Sequence, residues 1–268
     1  MNDAMTAHER LLMQFETMLP SKPPNNAPQD KKKAYSEHVS RVAALAIGAE
    51  LRKRGLESAR PTEAGLDEKS GAERRMAGGI GAKRVDVTWS TEESGLLIAS
   101  SIKSINFKDA TTNNYQKNLT NRRGDLLFES ITLHRRLPYS VLVGIFFFDE
   151  EAKRDNTGTR RSTVDNAHER LLLFKGRIDP TGRDEQYEHL YIGLLGISGK
   201  ASTKPSCDFY AVGDPATAVT LDEILTDSLR TLVTRNADIY ALEDGHIVRI
   251  DPPSRKRQNG KRRPKRSN

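Results

Sequence analysis

The sequence predicts an α/β protein, a mixed central β-sheet flanked by helices with an α+β elaboration on its C-terminal side, and three observations carry that expectation. Between residues 35 and 148 the hydrophobic pattern runs helix, strand, strand, helix, strand, the alternation that layers helices on a sheet. The run YSVLVGIFFF at 139 to 148 is continuously apolar, as a strand buried on both faces must be. Beyond residue 149, shorter helical and strand patterns keep alternating.

Each element follows from its local pattern. AMTAHERLLMQFETML, 4 to 19, spaces apolar side chains helically, and PSKPPNNAPQDKKK breaks the pattern with prolines and asparagines, so residues 1–34 read as an N-terminal helix and linker. YSEHVSRVAALAIGAELRKR, 35 to 54, is a core helix, apolar nearly all round at its centre, with Gly55 at its C-terminal end. Residues 56 to 75 are charged and loop-like, and a turn rich in glycine (Gly78, Gly79, Gly81) leads into a strand at KRVDVTW. A polar turn separates it from a second strand, LLIASSIKS. LTNRRGDLLFESITLHRRL then returns to helical spacing through Leu119, Leu126, Ser130, Leu133 and Leu137, until Pro138 stops it.

Residues 35–148 therefore form the core, and 149–253 continue the same domain. In that second part VDNAHERLLLFKGRI and TLDEILTDSLRTLVTRN read as helices, and EHLYIGLLGIS and CDFYAV as strands. DIYALEDGHIVRID reads as a hairpin turning at Asp244 and Gly245. AHERLL occurs at both 7–12 and 167–172, but nothing around it repeats.

Composition narrows the function. The single cysteine, Cys207, excludes disulfides within the chain and cysteine-rich zinc sites, and suits a reducing cytoplasm. No apolar run is long enough to span a bilayer and the N-terminus lacks a signal-peptide pattern, so a cytoplasmic protein with no membrane partner is expected. Of the net charge of +7, eight cations sit in the acid-free tail 254–268, leaving −1 for the rest. Such a tail is expected to be disordered and to attract polyanions without reading sequence, nucleic acid being a more economical partner than a purely solubilising role. The six histidines include no pair at metal-ligand spacing, and LLGISGKAST has Ala201 where a phosphate loop needs a hydroxyl.

One lysine calls for explanation. Lys103 directly follows the apolar run of its strand, and burying an ammonium is costly unless a partner meets it. Strand alternation puts Val85 and Val87 on one side and Asp86 and Thr88 on the other; on the next strand Leu97, Ala99, Ser101 and Lys103 share a face. Antiparallel pairing lets Asp86, Ser101 and Lys103 converge at one end of the sheet. A carboxylate beside an ammonium suits a hydrolytic site, the acid holding a hard divalent cation and the lysine orienting or helping to deprotonate water. The same spacing also suits a structural ion pair, or a lysine that snorkels from its strand end.

The helix ending in glycine, then KRVDVTW, LLIASSIKS, a helix and an apolar strand, resembles the αβββαβ core of the PD-(D/E)xK nuclease superfamily, which includes restriction endonucleases. The resemblance spans roughly residues 35 to 148. Asp86 matches the family aspartate, with Val85 in place of the proline, and Lys103 matches the lysine. Ser101 stands where the family usually has an acid, so the sequence is similar to the SxK subset that takes its missing carboxylate from the following helix. The resemblance implies Glu129 as that acid, with Asp125 second; it implies Glu37 near the start of the first core helix, with Glu50 weaker, and the main-chain carbonyl of Ile102 as a further ligand. It further implies an Mg2+-dependent endonuclease hydrolysing DNA phosphodiester bonds, Arg122, Arg123, Lys108 and Lys117 on the flanking phosphates, and a homodimer on palindromic sites. The competing reading is a nucleic-acid-binding protein whose nuclease fold has lost catalysis at Ser101.

Overall fold

Two sheets of unequal size are joined at Asp86 in the computed structural model, which describes residues 5–62, 74–77, 82–197 and 204–250. Strands β1 (Arg74–Ala77) and β2 (Ala82–Val85) form an antiparallel ribbon. Strands β3 (Val87–Thr91), β4 (Gly95–Ile105), β5 (Val141–Asp149), β6 (His189–Gly196), β7 (Ser206–Ala211) and β8 (Ala218–Val219) follow one another in that order across a six-stranded mixed sheet. The central β4, β5 and β6 are parallel and the outer pairings antiparallel. The protein is thus α/β with a mixed sheet between helices, as its sequence pattern implies. The glycine-rich turn at 78–81, most of the 56–75 loop, the GKAST segment and the basic tail lie outside the described residues.

Connectivity explains the layers. Parallel strands need crossovers, and α3 (Leu119–His134) links β4 to β5 while α4 (Thr163–Leu171) links β5 to β6. Both contribute to one core, where Leu126, Leu133 and Leu171 meet Ala99, Phe146 and Ile192. Helices α1 (Ala7–Met18), α2 (Gln29–Lys53) and α5 (Leu221–Arg235) cover the opposite face, packing Phe15, Ile47 and Leu229 against Ile102, Ile145 and Phe147. Every residue of β5 is buried, which is why its sequence does not alternate. No helix among the described residues is long and apolar enough to cross a membrane.

Two details differ from the sequence expectation, and a third agrees with it. Helix α2 starts at Gln29, six residues before its apolar stripe; the first turn projects into solvent, where helix-forming polar residues suffice and leave no hydrophobic signature. The N-terminal helix is part of the fold, because Leu11 and Phe15 are buried in the α2-side core and Asp222 of α5 accepts hydrogen bonds from the amides of Ala7 and His8, both at 3.0 Å. The hairpin β9 (Tyr240–Glu243) and β10 (His246–Arg249) turns at Asp244 and Gly245, both at positive φ, as expected of a two-residue loop.

Asp222 joins three helices, since it also meets Arg54 of α2 at 3.1 Å. Burial pushes its carboxyl up, but the two amides and Arg54 outweigh that and leave it below its ordinary value. Its contribution is therefore present above the ordinary aspartate range and lost as pH falls through the folded value. Asp222→Ala is expected to cost about 1–2 kcal/mol, the range for a lost helix cap, measured as a lower urea midpoint at pH 7 that converges with the parent as pH falls through the lowered folded value.

Candidate active site

A bend in the chain places Asp86. Val85 belongs to the α3-side core and Val87 to the α2-side core, so these two residues do not share a face as strict alternation would have it. The strand breaks between them, β2 turning away to pair with β1 while β3 pairs with β4. Half-buried at that bend, Asp86 accepts a hydrogen bond through Oδ2 from the Ile102 amide at 2.6 Å. The amide of Ile102, rather than its carbonyl, is therefore the group that meets the aspartate.

A bulge sets the facing of β4. Trp89 pairs with Ile98 and Ser90 with Leu96, which leaves Leu97 as the extra residue and turns it into the α2-side core while Ala99 lies on the other side. Leu97 thus leaves the face that the sequence pattern assigned to it. From Ala99 onward the alternation is regular, and Ser101 and Lys103 both face α3.

Helix α3 brings the acid. Glu129 sits one turn before Leu133 and three residues after Leu126, on the buried side of the helix. It accepts the Ser101 hydroxyl on Oε2 and the Lys103 ammonium on Oε1 at 2.9 Å. Glu129 is 4% exposed and Ser101 5%, while the Lys103 side chain is 11% exposed. Burial disfavours the Lys103 ammonium, but Glu129, Asp86 and, more weakly, Asp125 outweigh it and raise its pKa above the ordinary lysine value. Lys103 is accordingly a fixed cation at neutral pH, suited to orienting a water or stabilising an anion and not to acting as a base.

The sequence pattern does not reveal what supports this cluster from below. Gly144 of β5 is the register partner of Ser101, and a Cβ there would lie 2.4 Å from Leu190 and 3.4 Å from the Tyr187 ring. The missing side chain admits Tyr187, whose hydroxyl donates to the Leu126 carbonyl at 2.9 Å, one turn before Glu129. Burial first, and then the charges of Glu129 and Asp86, push the Tyr187 phenol well up, with the neighbouring Ser101 hydroxyl offsetting part of it. Tyr187 stays protonated and ties α3 to the sheet at the cluster. An unexplained glycine inside an apolar strand was the one available sequence signal.

The other predicted residues are placed elsewhere. Glu37 is exposed and pairs with Lys33 at 3.8 Å; the hydroxyls of Ser36 and Ser40 face the sheet instead, where they meet Asn106 and Ser104, and a one-residue step on a helix turns a side chain by about 100°. Moreover α2 lies on the sheet face opposite Ser101 and Lys103, so neither Glu37 nor Glu50 belongs to the cluster. Glu50 is held by Arg10 at 2.6 Å and Arg54 at 2.9 Å. Asp125 lies one turn before Glu129 and pairs with Arg122 at 3.4 Å. Lys108 meets Glu151 at 2.7 Å, Lys117 pairs with Asp109, and Arg123 lies over the Phe174 ring at 6.0 Å. A separate cleft of about 330 Å3, lined by Lys22, Asn25, Asp149 and Glu151 among others, is bridged by the Lys22–Asp149 ion pair.

No protein-family model, curated protein or solved structure matches the chain. The site is therefore read from its own donors. No group of three or more His, Cys, Asp or Glu side chains is arranged to hold a metal among the described residues. Mg2+ commonly takes only one or two carboxylates, with water and phosphate oxygens completing its shell. Asp86 and Glu129 both act on the Lys103 ammonium and Ser101 donates its hydroxyl to Glu129, so the donor types present, two carboxylates and a hydroxyl, are hard oxygens of the kind such an ion takes.

Proposed function

We propose that Asp86, Ser101, Lys103 and Glu129 form the active site of an Mg2+-dependent endodeoxyribonuclease of the restriction-enzyme type, working in the cytoplasm on duplex DNA. The observation that supports it best is the delivery of Glu129 by α3 onto both Ser101 and Lys103. That is where an SxK motif lacks its acid. A purely structural ion pair would need neither the Ser101 hydroxyl nor Asp86 held on the amide of Ile102, the residue before the lysine.

Each group has a task in phosphodiester hydrolysis. Mg2+ held by Asp86 and Glu129 would neutralise charge on the scissile phosphate and lower the pKa of a bound water. Lys103, kept protonated by the surrounding carboxylates, would orient the attacking water and offset charge growing on the phosphoryl oxygens. Ser101 fixes the Glu129 carboxylate through its hydroxyl, and the Ile102 amide fixes Asp86. A symmetric dimer would present two such sites to the two strands of a palindrome.

The test is incubation of the purified full chain with plasmid and phage DNA, with Mg2+ or with chelator. Discrete fragments that require Mg2+ and disappear in both Asp86→Ala and Lys103→Ala are expected. DNA binding with no cleavage by the parent protein under any divalent ion would instead favour the non-catalytic reading.

A further inference from the structure

Glu129 reaches the cluster on a helix, and a helix is placed differently from a strand. Backbone pairing along β4 fixes Ser101 and Lys103 against the neighbouring strands. Helix α3 instead lies on the sheet through Leu126 and Leu133, and such apolar contacts resist separation more than sliding because they are non-directional. Groups that act together on one reacting centre must be placed to within about 0.5 Å. Some directional contact therefore has to fix α3 along the sheet.

Two consecutive residues, Tyr187 and Glu188, make contacts of that kind on either side of Glu129. The Tyr187 side chain fits against Gly144, the register partner of Ser101, and its hydroxyl donates to the Leu126 carbonyl at 2.9 Å. Oε2 of Glu188 lies 3.3 Å from Nε2 of His134, the last residue of α3, and the other nitrogen of that ring meets the Asp184 carbonyl at 3.1 Å. At about 1.5 Å of rise per residue, the two points of attachment are about 12 Å apart along the helix, with Glu129 between them.

Glu188 is itself immobile. The Leu142 amide of β5 donates to it at 2.7 Å, Arg235 of α5 pairs with it at 2.7 Å, and Arg177 lies 3.4 Å away. All three charged side chains are buried, and a carboxylate so enclosed cannot shift without leaving buried cations uncompensated. The Tyr187 amide is held as well, donating to the Phe174 carbonyl at 2.7 Å.

We infer that Tyr187 is a positioning residue for the proposed hydrolysis: anchored by Glu188, it clamps α3 along the sheet and so holds the Glu129 carboxylate where it can share one divalent cation with Asp86. The inference rests on the nuclease reading and adds to it the residue that places the helix-borne acid. An acid at position 101 would need no such clamp, because the strand itself would place it.

The test compares the full-length parent, Tyr187→Phe, which keeps the ring and removes only the hydroxyl, and Asp222→Ala, a destabilised control on the opposite face of the sheet. Mn2+ is titrated against each protein without DNA by electron paramagnetic resonance, and plasmid cleavage is followed in Mg2+. Tyr187→Phe is expected to bind Mn2+ about tenfold more weakly and to cut with a kcat lowered about tenfold, the scale for losing a group that supports a metal ligand. Its KM for DNA should stay within about twofold of the parent, since the hydroxyl acts on the chemical step and not on DNA binding. Asp222→Ala, with a lowered unfolding midpoint, is expected to keep the parent's Mn2+ affinity and kcat, which separates positioning from general destabilisation. A folded Tyr187→Phe with the parent's Mn2+ affinity and kcat would overturn the inference and leave the nuclease reading standing. A parent that binds Mn2+ but cuts no DNA would remove the nuclease reading, while weaker Mn2+ binding in Tyr187→Phe and not in Asp222→Ala would still sustain the clamp. A parent that binds no Mn2+ would overturn both.

Discussion

Glu129→Ala is expected to reduce DNA cleavage by at least about a hundredfold, the scale seen when one preorganised polar group is removed from an active site, and to cost about 3 kcal/mol of stability. The second figure follows because the variant leaves a buried ammonium short of its nearest counter-charge. Burial is the largest single influence on Lys103 and Glu129 the largest one opposing it, so removing the acid lowers the lysine pKa instead of raising it. The sign of the pH dependence then reverses. In the parent, Lys103 holds its proton more tightly folded than unfolded; its contribution is complete below the ordinary lysine range and is lost only as pH rises through the higher folded value. In the variant the unfolded chain binds more protons between the lowered folded value and the ordinary one, so stability rises with pH across that window. Urea unfolding from pH 6 to 10 reads this as the difference between the two proteins, which cancels groups such as the buried Cys207 thiol whose folded pKa is also raised: the variant's deficit is expected to shrink as pH rises. A variant that is fully folded, parallel to the parent at every pH and active would remove Glu129 from both roles.

How much of this was legible in the sequence depends on where the signal comes from. Period and length located β4, β5, α3 and α5 because each buries a continuous stripe or run, and a stripe is a property of the sequence itself. Asp86, Ser101 and Lys103 could be grouped because an amine after an apolar run needs a counter-charge; Glu129 joined them through the resemblance to SxK nucleases, which places the missing acid on the next helix, where Leu126 and Leu133 border it. The start of α2 escaped because its first turn buries nothing. Glu37 was misplaced because its helix packs on the other face of the sheet from Lys103, and face assignment depends on topology rather than periodicity. Leu97 and Val85 were misassigned for a different reason: a bulge and a bend each break the two-residue period locally, and neither is marked by a glycine or a proline. Tyr187 left no trace, since its partner Leu126 is 61 residues away and the hint lay in Gly144, a residue that contributes only space.

The second large effect comes from moving the acid. If Glu129 supplies the carboxylate that Ser101 lacks, exchanging the two side chains should preserve the chemistry that each single change destroys. Ser101→Asp alone puts a second carboxylate within contact of Glu129, beside a lysine that can satisfy only one of them. Like charges at that range raise one pKa and destabilise the folded state, so the variant should unfold at lower urea without metal and recover with Mg2+, because a ligand that binds only the folded state stabilises it by mass action. Glu129→Ser alone should be as inactive as Glu129→Ala. The double variant returns one acid and one hydroxyl to the same contact, with Lys103 and Asp86 untouched, and is expected to cleave at least about tenfold faster than Glu129→Ser, a coupling near 1.4 kcal/mol of the size found between touching residues. Cleavage by the folded double variant no faster than that of Glu129→Ser would show that the two positions do not share a carboxylate's task, and the SxK reading of this site would fall with it.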